Sequence, residues 1–92
     1  MGKIELSRPV EFEGATYTEI EMNLEGMTGD DIIKAERECL TSGIPMGVAE
    51  TSKGFLMAVA ARACKMPVEF IHALPIKDAT KVTMEVQSFL LG

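Results

Sequence analysis

The sequence predicts an α+β fold, an N-terminal β-hairpin followed by a small helical bundle of three main helices plus one short helix, and three observations carry that reading. Apolar and polar residues alternate from Ile4 to Leu24, apolar residues recur at helical spacing from Ile32 onward, and Pro67 and Pro75 divide the second half into separate helices. With 92 residues, 47% of them hydrophobic and 25% charged, the chain is apolar enough to fold and is sized for one domain over 1–92.

In the first strand Ile4, Leu6, Val10 and Phe12 share one parity, with Glu5, Ser7 and Glu11 on the other. A second strand over 16–24 turns Ile20, Met22 and Leu24 inward and Glu19, Glu21 and Asn23 outward, and Glu13-Gly14 supplies the turn of a hairpin spanning 1–25. Both strands then bury even-numbered residues, so facing positions must sum to an even number, which a two-residue loop would break. The expectation is a three-residue loop or a bulge, with Leu6 opposite Met22 and Ile4 opposite Leu24. Pro9 cannot donate to the ladder and must point its missing donor outward, which leaves an open edge.

Thr28-Gly29-Asp30-Asp31 predicts the start of a helix over 28–41, its Thr28 hydroxyl accepting from a first-turn amide and its acids favoured by the helix dipole. Ile32, Ile33, Ala35, Glu36, Cys39 and Leu40 follow at mostly helical spacing until Ser42-Gly43, and Ser42 to Gly47 reads as a connector. A second helix, over 52–66, is apolar nearly all the way round from Phe55 to Met66, with only Arg62 and Lys65 charged, so it is either central or at an interface. A short helix over 67–74 and a last one over 75–90 open at the two prolines. On the last, Ile76, Ala79, Val82, Val86, Phe89 and Leu90 form the inward stripe, and Lys77, Asp78, Lys81, Glu85 and Gln87 the outward side.

Charge is uneven: residues 1–31 hold two bases against eight acids, net −6, and the remainder is close to neutral, for a total of −5. An acidic chain lacks the basic stripe that phosphate contacts require, so nucleic acid is not an expected partner. No apolar run approaches the roughly 18 residues of a membrane span, and Met1 to Glu5 lack a signal peptide's apolar core, so a cytoplasmic protein with no membrane partner and with Cys39 and Cys64 as free thiols is expected.

His72 is the sole histidine, and a Cys64–His72 pair reads as a core thiol beside a half-exposed imidazole. One histidine and two distant cysteines make no recognisable metal set, and Gly14, Gly26, Gly29, Gly43, Gly47 and Gly54 never fall into a phosphate-cradling spacing. No catalytic residue, metal or cofactor is therefore assigned. Partner-binding candidates are the apolar helix around Phe55, Leu56, Met57, Val59 and Met66, whose alternative is simply the middle of the core, and the hairpin acids Glu19 and Glu21, whose alternative is a solvated sheet face. The surplus of apolar surface and the open strand edge invite self-association.

The order of features has a counterpart. Leu6, Pro9 and Gly14 lead to a second strand ending at Leu24, then to Thr28-Gly29-Asp30, to the run Ala61-Arg62-Ala63-Cys64-Lys65-Met66-Pro67-Val68-Glu69-Phe70-Ile71-His72-Ala73-Leu74, to Asp78, and to Val86-Gln87-Ser88-Phe89-Leu90. Over nearly its full length the chain resembles the small tail assembly chaperones of tailed bacteriophages. It departs from them most between Ser42 and Gly54, and Lys65 stands where that family more often has a glycine. The resemblance implies a non-catalytic, cytoplasmic phage or prophage protein that binds the long tape-measure protein, helps tail-tube subunits assemble around it and leaves before the virion matures. It also implies that a longer, frameshifted product can exist. A tail-completion or connector subunit retained in the virion, and a small host adaptor or regulator, are the competing readings.

Overall fold

A computed structural model describes residues 2–41 and 53–91. Along the chain run β1 (Gly2–Phe12), β2 (Ala15–Met22), a 3₁₀ turn (Leu24–Gly26), α1 (Gly29–Thr41), α2 (Lys53–Cys64), α3 (Val68–His72) and α4 (Ile76–Leu91). The hairpin and the four helices are those the sequence predicts. The connector at Ser42 to Gly47 and the expected start of the second helix at 52 lie outside the described residues.

The register of the hairpin corrects the expectation. Glu13 and Gly14 both take positive φ, 50° and 83°, and close a two-residue loop that sets Phe12 opposite Ala15 and Val10 opposite Tyr17. Two left-handed residues match the right-handed twist of the flanking strands, which is why a loop this short is favoured. Parity is restored further along: between Glu5 and Val10 the ladder is irregular, residues 6–9 stand opposite Thr18 alone, and pairing resumes with Ile4 opposite Ile20 and Gly2 opposite Met22. The bulge is thus real, but Leu6–Met22 and Ile4–Leu24 are not pairs. Pro9, which has no N–H, falls inside it. Leu24 turns inward from the 3₁₀ segment instead.

The bulge has a partner. The Ser7 N–H donates to Oδ1 and Oδ2 of Asp78 at 3.0 and 3.1 Å, and the Ser7 hydroxyl donates to Oδ2 at 3.0 Å. Asp78 is fully buried, so its predicted place on the outward side of α4 is wrong, as is the inward place of Ile76, which is 85% exposed, and of Phe89, which is exposed. Helical phase explains the pattern. Asp78, Val82 and Val86 are four apart and share the buried face, whereas Ile76 and Met84 lie on the opposite side.

At the centre α2 packs against α1, α3, α4 and β2. Its buried residues, Phe55, Leu56, Ala58, Val59, Ala60, Ala61 and Ala63, lie on nearly every side, and the run of alanines lets neighbours approach closely. Phe70 of α3 closes the core under the hairpin, with its ring edge-on to Phe12 at 5.3 Å and to Tyr17 at 4.9 Å between centroids.

The end of α2 reverses sharply. Lys65 takes φ 60°, the Met66 N–H donates to the Ala61 carbonyl at 2.9 Å and the Lys65 N–H to that of Arg62 at 3.3 Å, the paired bonds of a left-handed helix cap. The Ala63 carbonyl is taken by the Asn23 N–H at 3.1 Å, which ties the hairpin's exit to the same spot. Glycine is the residue this position favours, because a Cβ is strained there.

Candidate functional site

Of the residues singled out as a docking face, Phe55, Leu56 and Val59 are buried and belong to the core that joins the hairpin to the helices; α2 is central, and these side chains offer no surface. Met57 and Met66 are half-buried and packed against that core, and Glu19 and Glu21 are exposed on the hairpin, where Glu19 meets Lys3 at 3.5 Å. The structure therefore does not gather the predicted residues into one patch.

It gathers another set. Asp31, Lys34, Glu38 and Thr41 recur along one face of α1, and Arg37 flanks them. Across from them lie Ala61 and Arg62 of α2, the reversal at Lys65-Met66, and Pro67, Val68 and Glu69. Together they line a groove of about 840 Å³. Arg62 spans its floor: one terminal guanidinium nitrogen meets Glu38 Oε2 at 3.3 Å and the other meets Asp31 Oδ1 at 3.6 Å. Asp31 and Glu38 are two helical turns apart, which is why one guanidinium reaches both. The Arg62 Nε is buried and has no partner among the described residues.

Asp31 also caps its own helix. Its Oδ2 accepts from the Thr28 N–H at 3.0 Å, so the cap is made by the carboxylate reaching back where a Thr28 hydroxyl reaching forward was expected. That backbone hydrogen bond, ahead of the nearby Arg62 charge, holds the Asp31 carboxyl below its ordinary value. Lys34 pairs with Asp30 at 3.2 Å, whereas Arg37 and Lys65 meet no carboxylate among the described residues.

A smaller groove, of about 540 Å³, runs between the start of β1 and α4, with Lys3, Glu5, Lys81, Met84 and Glu85 in its lining. Met84 and, beyond the groove, Ile76 and Leu91 are each more than half exposed on α4. The two cysteines are free thiols. Burial pushes both Cys39 and Cys64 above the ordinary thiol value, and the Cys64 Sγ–H points to the Ala61 carbonyl at 3.6 Å, not to His72. Among the described residues no three His, Cys, Asp or Glu side chains could together hold a metal ion, and no helix is long and apolar enough to cross a membrane.

Sequence reasoning missed the groove because its residues come from separate elements, each read as an ordinary charged face. One signal was available: Arg62 interrupts an otherwise apolar helix, and a cation there needs carboxylates from a neighbour.

The class the structure defines is an α+β domain with charged grooves around a central apolar helix. The family model for phage tail assembly chaperone proteins, E, or 41 or 14, matches residues 3–91, and the chain belongs to that family. Neither the comparison with curated proteins nor that with solved structures returns a match.

Proposed function

We propose that this chain binds the tape-measure protein of its phage or prophage in the host cytoplasm, keeps it soluble while tail-tube subunits assemble around it, and is absent from the finished virion. Membership of the tail assembly chaperone family over residues 3–91 is the observation that carries the proposal. Physical chemistry supports the finer reading. A very long helical client exposes far more apolar surface than a soluble protein can carry alone, and a small acidic cover in many copies supplies both masking and charge. Many weak contacts along one client suffice through effective concentration. Met57, Met66, Glu19 and Glu21, the predicted partner residues that are not fully buried, are the ones left to take part.

Co-expression with the long tail protein encoded nearby tests this. Rescued solubility with co-purification is the expected result. An insoluble long protein, with this chain found by mass spectrometry in purified virions, would move the tail-completion or connector reading ahead.

A further inference from the structure

We infer that the groove between α1 and the α2–α3 reversal docks a carboxylate-bearing helical segment of the tape-measure partner, an inference that rests on the chaperone reading above. Three independent features of the groove converge on an acidic ligand. The first is charge. Lys34, Arg37, Arg62 and Lys65 face Asp31, Glu38 and Glu69 there, and with Asp30, which pairs with Lys34, the groove is locally neutral, while the rest of the chain holds five bases against ten acids. In a molecule of net −5 the groove is where an acidic segment meets the least repulsion.

The second is strain. Lys65 holds φ 60° at a helix cap that glycine would fill without penalty, and its side chain stands on the groove wall, exposed and unpaired among the described residues. A strained residue carrying an unused charge points to a use for that charge. The third is shape and composition. The groove's lining is apolar at Ala61, Met66 and Val68, the free cations Arg37 and Lys65 stand on the same lining, and its size suits a few side chains of one helix face. Arg62, whose Nε lacks an acceptor among the described residues, already fixes the spacing of the two walls.

The occupant is thus an amphipathic helix with an apolar stripe flanked by glutamates or aspartates. Its carboxylates meet Arg37 and Lys65, and its stripe lies over Met66 and Val68.

The test uses two exposed positions outside the core, Arg37→Ala and Lys65→Gly together. The second removes a charge and backbone strain at once, so lost binding cannot be ascribed to lost folding. A leucine-striped probe helix of about 20 residues, flanked by glutamates, should bind the wild-type chain and shift the amide resonances of residues 61–69. Binding should weaken about fivefold in the double variant at low salt, with its salt dependence flattened and its melting temperature unchanged or raised. Equal binding of a lysine-flanked probe, or unchanged binding in the double variant, would overturn the inference.

Co-expression separates this from the chaperone reading. If wild-type and double variant hold the long tail protein equally well, the groove is not the site and the chaperone reading stands. If the wild-type chain does not hold it, both fall. If sedimentation shows that the wild-type chain self-associates alone and the double variant does not, the occupant is a second copy and the inference about the partner is overturned.

Discussion

Two of the seams that charged side chains tie in this molecule differ in how much water reaches them. At the β1–α4 seam the Asp78 carboxylate is fully buried and, among the described residues, meets no cation and accepts hydrogen bonds from Ser7 alone. At the α1–α2 seam Arg62 is about a quarter exposed and bridges Asp31 and Glu38, both partly in solvent. Coulomb attraction favours the second, but water screens it, while a buried carboxylate cannot exchange its partners for solvent. The seam without a salt bridge is the one on which the fold depends more.

The scale for breaking either seam is set by α2, the helix common to both layers. Phe55→Asp places a charge in a core position that is 1% exposed, and the chain should lose its cooperative unfolding transition altogether, as read by near-ultraviolet circular dichroism and calorimetry. Asp78→Ala should cost about 2–3 kcal/mol, because both Ser7 donors lose a charged acceptor, and amide exchange at Ser7 should accelerate more than exchange in α2. Arg62→Ala should cost only about 1 kcal/mol, measured by urea denaturation, and most of that loss should vanish at high salt. An equal cost at the two sites would refute the contrast.

Lys65→Gly should instead raise stability by about 0.5–1 kcal/mol, or a few degrees in melting temperature, since it relieves the left-handed residue at the end of α2. The smallest effect belongs to pH. The Thr28 N–H, helped by Arg62, keeps the Asp31 carboxyl below its ordinary value, so the folded chain favours its charged form. That stabilisation is fully present above the ordinary carboxyl range and is lost as pH falls through the depressed folded value. Denaturation midpoints between about pH 6 and pH 2.5 should therefore decline less steeply in Asp31→Asn than in the wild type.

What was legible in the sequence follows the range of each interaction. The hairpin, its turn residues and the proline boundaries of α3 and α4 all come from periodicity or local chemistry, and the structure bears them out, whereas the apolar run of α2 reads equally as central or as an interface until its neighbours are in place. The hairpin register was not legible, because parity arguments assume one continuous ladder, and residues 6–9 leave it to meet a side chain 71 positions away. Asp78 was placed on the wrong side because a charged residue on an amphipathic helix is assigned outward by default, although its spacing from Val82 and Val86 put it on the buried face. The groove at Arg62 needed the α1–α2 packing, which no local pattern encodes. The left-handed strain at Lys65 could be anticipated only from the resemblance, where a glycine is the commoner residue.

The Ser7–Asp78 lock also sets an order of events in time. The hairpin is made first on the ribosome, yet the carboxylate that completes its bulge follows 71 residues later, on the order of 4–14 s at ordinary elongation rates. Until then β1, the strand against which α4 packs, carries Ile4 and Val10 without that cover. Between the synthesis of the hairpin and that of α4, the apolar face of β1 is thus open to other chains as well as to its own.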